Sequence, residues 1–157
     1  MRTILLGLLF FSMTSWCFAQ SNAQFSVGDL RCIVTVPNAF EEKEISQGLL
    51  LTSKNGKAAF SLTVYPNPEG VNLASFQQSI LSQMNVSDMK KVETKNVVQI
   101  TGEKNHTQLL IYVAERDQAF VVLLGSGIDA KTANGILNSV RLLAEKKDEA
   151  AKEEKKP

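Results

Sequence analysis

The sequence predicts an α+β domain: a single antiparallel sheet of about six or seven strands with two amphipathic helices packed on it. Three observations lead there. Apolar and polar residues alternate with a period of two through several short stretches, the mark of half-buried strands. Two other stretches repeat apolar residues at helical spacing behind a capping side chain. Beyond the first twenty residues, no apolar run approaches the roughly 18 residues needed to span a bilayer.

Length and charge bound the function. At 157 residues with 44% hydrophobic residues, the chain has the composition of one globular domain at most. Its 17 Lys and Arg stand against 16 Asp and Glu, a formal net charge of +1, which offers no basic field for nucleic acid.

The N-terminus reads as a removable secretory signal over residues 1–19. Arg2 supplies the positive end, Ile4 to Phe11 (ILLGLLFF) an apolar block too short to span, and Cys17-Phe18-Ala19 small residues at the −3 and −1 positions. Cleavage after Ala19 is expected, with Ala23 as the alternative. A lipid-anchored start at Cys17 is disfavoured because the bulky Trp16 precedes it. Removing the signal takes away Arg2 and no acid, leaving 16 charges of each sign. The product keeps one thiol, Cys32, which has no internal partner for a disulfide, so stability must come from a core.

Within residues 25–143, Leu30, Cys32, Val34 and Val36 alternate with Arg31, Ile33 and Thr35, predicting a strand that ends at Pro37 with Cys32 facing inward. Leu49 to Ser53 and Ala58 to Val64 flank Lys54-Asn55-Gly56-Lys57, which predicts a hairpin with a type I′ turn at Asn55-Gly56. Pro66-Asn67-Pro68-Glu69-Gly70 breaks the pattern. Leu73, Phe76, Ile80 and Met84 then predict a helix capped by Asn72. Met89–Thr94, Val97–Gly102, His106–Ala114 and Gln118–Leu124 predict an antiparallel meander with polar turns. Asp129 caps a second predicted helix with Ala133, Ile136, Leu137 and Val140 on its apolar face. Residues 144–157 carry five acids and five lysines beyond Ala144 and no large apolar group, so a solvated, frayed or disordered tail is expected.

In order, these elements are a strand ending VPNAF, the hairpin GLLLTSKNGKAAFSLTVYP, a LASFQQSIL helix, the strands VVQITGEKNHTQLLIYVAERDQAFVVLLGSG and a terminal ILNSVRLL helix. Carried by Pro37, Phe40, Gly102 and Ser139-Val140-Arg141-Leu142, this order resembles the Mog1p/PsbP-like family, which includes bacterial envelope proteins similar to DcrB. The resemblance implies an α/β/α sandwich serving as a non-enzymatic adaptor or assembly factor. It brings no binding residue onto this chain.

Each residue pattern that suggests chemistry has a structural alternative. Gly125-Ser126-Gly127-Ile128-Asp129-Ala130 has the G-x-G-x-x-G/A spacing of a pyrophosphate loop, but no acidic strand follows it and Asp129 would repel phosphate. A plain strand-to-helix turn is the alternative. Cys32 and His106 are the sole thiol and imidazole of the mature chain, and a catalytic pair would need them in contact. An inward Cys32 instead fills the core as a small hydrophobe. Glu41, Glu42 and Glu44 form an acidic cluster that reads as a solvated loop, without the spacing of a calcium loop. Asn85 and Asn105 head glycosylation sequons, relevant only in a eukaryotic exporting cell.

No catalytic, cofactor-binding or metal residue is therefore assigned, and no cofactor is expected. The reading that follows is an exported, periplasmic or secreted, non-enzymatic binding or assembly-accessory module whose partner is an envelope or secreted protein, with no nucleic acid and no membrane span. The alternative is a small extracytoplasmic hydrolase or thiol-dependent enzyme using Cys32 and His106. Paired acids in a cleft would leave no sequence signature and remain open to such an enzyme.

Overall fold

The computed structural model describes residues 20–144, so the expected signal and the charged tail beyond Ala144 lie outside the described residues. In chain order the elements are β1 (Gln20–Val27), β2 (Leu30–Pro37), β3 (Phe40–Ile45), β4 (Gly48–Ser53), β5 (Ala59–Pro66), α1 (Leu73–Met84), β6 (Ser87–Glu93), β7 (Val97–Lys104), β8 (Thr107–Arg116), β9 (Ala119–Ser126), α2 (Ala130–Ser139) and β10 (Arg141–Ala144). The class is α+β with two helices, as predicted. The single sheet is not what forms: there are two, a seven-stranded sheet in the order β3-β4-β5-β9-β8-β7-β6 and a three-stranded sheet in the order β1-β2-β10. Both are antiparallel throughout.

The large sheet is covered on both faces. Its inner face buries Leu51, Phe60, Leu62, Tyr112 and Leu123 against Phe25, Cys32 and Val34 of the small sheet and Ile136 and Leu137 of α2. Its outer face buries Val98, Ile100, Ile111, Val113 and Phe120 under α1. Double coverage explains why β8 and β9 (TQLLIYVAER, AFVVLLGS) are apolar at consecutive rather than alternate positions. Each such side chain removed from water contributes about 1.5–3 kcal/mol. On the outer face the rings of Phe76 and Phe120 stack with centroids 4.1 Å apart, while Tyr65 lies tilted at 5.4 Å from Phe76.

The departures from expectation have local causes. β1 pairs along its whole length with β2, burying Ala23, Phe25 and Val27 on one face, with Gly28 at φ +58 opening the two-residue turn between them. β3 is an edge strand: FEEKEI has no buried residue and is held by its ladder with β4 and by Phe40 packing edge-on to Phe60, centroids 5.1 Å apart. The expected terminal helix ends early. Val140 turns extended at ψ 124, and Arg141–Ala144 pair with Leu30–Ile33. Ser139 marks the handover, its hydroxyl accepting from the Thr35 N–H at 2.9 Å, so α2 and β10 share one edge of β2.

The β4–β5 turn also differs. Only Gly56 there has positive φ (+70), because the Asn55 side chain accepts from the Lys57 N–H at 3.0 Å and makes the turn with its own carbonyl. Ser53 completes that loop by accepting from the Ala58 N–H. Positive φ at both central positions, the type I′ signature, occurs instead at Asn105 (φ 51) and His106 (φ 60) between β7 and β8. Both predicted helix caps form: Asn72 accepts from the Ser75 N–H and Asp129 from the Thr132 N–H, each at 2.9 Å.

Candidate functional site

Cys32 and His106 are kept apart by burial. The thiol is 0% exposed on the inward face of β2, and burial pushes it up to about 11. The His106 side chain is fully exposed at the tip of the β7–β8 turn, 3.4 Å from Glu103 Oε1. A sulfur closed off from solvent and an imidazole standing in it cannot exchange a proton, and the thiol is held in its unreactive form.

The glycine loop between β9 and α2 is explained by close packing. A Cβ on Gly125 would lie 2.1 Å from Phe60 Cβ, and one on Gly127 2.0 Å from the Lys57 carbonyl oxygen, where φ is also +70. The N-terminus of α2 is already filled. Asp129 accepts from the Thr132 backbone and, at 2.6 Å, from its hydroxyl. These bonds, the hydroxyl first, hold the Asp129 carboxyl below its usual range, so an anion there would meet a carboxylate.

Glu41, Glu42 and Glu44 are exposed along β3, with Glu41 on one face and Glu42 and Glu44 on the other, so the three do not converge. Among the described residues no group of three His, Cys, Asp or Glu side chains is placed to hold a metal ion. Asn85 caps the C-terminus of α1 in the left-handed region, and Asn105 occupies the β7–β8 turn; both are exposed.

A different site emerges where the inner face runs out of cover. The small sheet and α2 overlie β4, β5, β8 and β9, leaving β6 and the far half of β7 open. There a trough of about 690 Å³ runs from β6 to the first turn of α2. Register places Lys90 beside Thr101, and Thr101 beside Leu110. Gln99, Thr101 and Glu103 alternate with the outward Val98 and Ile100, so one strand supplies three polar groups to the floor. Gln108 extends it, and Ile128 in the β9–α2 loop forms an apolar wall.

The trough holds two acids, Asp88 and Glu103, and one base, Lys90. Asp88 is exposed on an edge strand and Glu103 half-buried. Beyond the trough, Tyr112 stands fully buried beneath α2 and its hydroxyl makes no well-formed hydrogen bond. Burial raises its pKa; the nearby Asn134 side chain acts against this and the Asp129 charge adds to it. The sequence picks out Gly102 and the Ser126–Ala130 loop for other reasons, and marks none of the polar residues on the trough floor as a site. The legible signal was the alternation in VVQITGEK, whose polar positions fall on the face that Tyr112 and Leu110 show to be inward.

Neither the protein-family models nor the curated proteins include a match to this chain. Among solved structures it is similar to the solution structure of cyanobacterial PsbP (CyanoP) from Synechocystis sp. PCC 6803. The identity is 11% and the TM-score 0.46, over 78% of this chain and 93% of that one. No residue of the trough is carried across from that likeness. No described helix is long and apolar enough to cross a membrane.

Proposed function

We propose that this chain is an exported, non-enzymatic binding module of the Mog1p/PsbP-like kind, and that the trough receives an extended polypeptide segment of an envelope or secreted partner. Envelope location and kinship with DcrB-like proteins belong to this same proposal. The observation that carries it is the lining. Carboxamide and hydroxyl groups from Gln99, Thr101 and Gln108 can exchange hydrogen bonds with a peptide backbone, and Leu110 and Ile128 offer apolar contact for side chains. No aromatic ring lines the trough to stack on a sugar, and its single lysine does not suit a polyphosphate.

The hydrolase alternative loses its thiol form through the burial of Cys32. Its carboxylate form keeps one supporting observation, that Asp88 and Glu103 line the same trough. The setting disfavours it: the trough opens to solvent and Asp88 is exposed, whereas paired carboxylates work in a site that excludes water and separates acid from base by environment.

Photo-crosslinking in the native envelope tests both readings. With the crosslinker at Gln108, a defined polypeptide should be captured, and the yield should collapse when Thr101 is replaced by Trp to fill the floor. Equal capture from a crosslinker at Ser26, exposed on β1, would remove the trough from the reading. Turnover of a peptide or glycoside panel that disappears in Glu103→Gln would put the hydrolase in its place.

A further inference from the structure

β6 is an open edge of the seven-stranded sheet, and every one of its residues is exposed. It carries the two most exposed large hydrophobic side chains among the described residues, Met89 at 52% and Val92 at 62%. Edge strands are normally guarded by charge against pairing with another copy. The other edge, β3, is guarded in this way. In antiparallel self-pairing, its central registers set Glu42 opposite Glu42, or Lys43 opposite Lys43 with Glu42 opposite Glu44.

β6 is different because Lys91-Val92-Glu93 is complementary to its own reversal. We infer that two copies of this chain pair antiparallel through β6, with a two-fold axis at Val92. Lys91 of each copy then lies opposite Glu93 of the other, and the two Val92 side chains meet at the axis. Lys91 and Glu93 already contact each other at 2.9 Å within one chain, so pairing builds a square of four charges of alternating sign. Neighbouring registers are barred: shifting the axis by one residue opposes Lys91 to Lys91, or Glu93 to Glu93. The bulge between Ser87 and Lys90, with Asp88 at φ 49, keeps the N-terminal end of the strand from joining the ladder. Pairing is thereby confined to the segment centred on Val92. The axis stands perpendicular to the sheet, so both inner faces lie on the same side of one continuous sheet.

Sedimentation of the purified protein over a concentration series tests this. The wild type should show a monomer–dimer equilibrium that weakens with added salt, since the pairs are exposed and screened. Lys91→Glu and Glu93→Lys should each weaken dimerisation by about tenfold or more, because each opposes like charges twice. Mixing the two variants in equal amounts should restore it, as glutamates at 91 and 93 then face lysines at both positions. The double exchange K91E/E93K should also restore it. A wild type that is monomeric up to about 100 μM, reversals that leave a dimer undiminished, or a mixture that fails to recover would each overturn the inference. All these side chains are solvent-exposed, and an unchanged circular dichroism spectrum verifies the fold.

Discussion

Replacing Cys32 with Ser preserves size and changes only chemistry, which makes it a clean test of the core. The side chain is 0% exposed, its register partners are Phe25 on one side and Leu142 on the other, and its cluster is apolar apart from the Tyr112 hydroxyl. A hydroxyl enclosed there loses its water without gaining a partner, at a cost of about 1–3 kcal/mol. Cys32→Ala leaves only a small void, about 1 kcal/mol. The Ser variant should therefore be the less stable of the two in urea unfolding, with the m-value unchanged. Alkaline pH separates the thiol from its packing. Burial raises its value from 9.0 to about 11, so the stability it contributes is full below 9.0 and is lost as pH rises through about 11. Two units correspond to about 2–3 kcal/mol. The wild-type stability should fall by about that much more than that of Cys32→Ala across the window. Parallel pH profiles, or a Ser variant as stable as the Ala variant, would refute the reasoning.

Two glycines should respond oppositely to alanine in the same unfolding assay. Gly125→Ala, whose Cβ would sit 2.1 Å from Phe60 Cβ and 2.4 Å from the Ala59 carbonyl oxygen, should cost about 3 kcal/mol or more. Gly135→Ala, with nothing within 4 Å inside α2, should gain about 0.5–1 kcal/mol. Asp129→Ala removes the α2 cap and should cost about 1 kcal/mol near neutrality. Because the folded state holds that carboxyl below its usual range, its contribution is present above that range and fades as pH falls through it; thermal midpoints of wild type and variant should converge in acid.

Residue pattern alone made the local elements legible wherever a strand had one wet and one dry face. β2, β4, β5, the β6–β9 meander and both helix caps follow from alternation, helical spacing and Asx chemistry, which are local properties. β3 was illegible because FEEKEI is wet on both faces and exists through its ladder with β4. Arg141-Leu142-Leu143 suits helix or strand alike, and pairing with β2, more than 100 residues earlier, decides for strand. The division into two sheets has the same origin: alternation says that a strand has an inside, and cannot say which neighbour covers it. β1 is legible in the alternation of Ala23, Phe25 and Val27 ahead of Gly28-Asp29, but a domain boundary at residue 25 cuts through it. The trough is assembled from four separate segments, and only Gln99, Thr101 and Glu103 on β7 share a spacing.

The small sheet is built from the two ends of the described chain. β1 and β2 open it, β10 closes it, and everything between them belongs to the large sheet and its helices. During synthesis the β1–β2 hairpin must therefore hold Phe25, Cys32 and Val34 without their final neighbour until residues 141–144 have emerged. Closing a loop of this length gives high contact order, so this layer is expected to lock last and to set the pace of folding. A chain cut between Ser126 and Arg141 could complete its wide sheet and would still leave one edge of β2 open, so the four residues of β10 decide whether the small sheet closes.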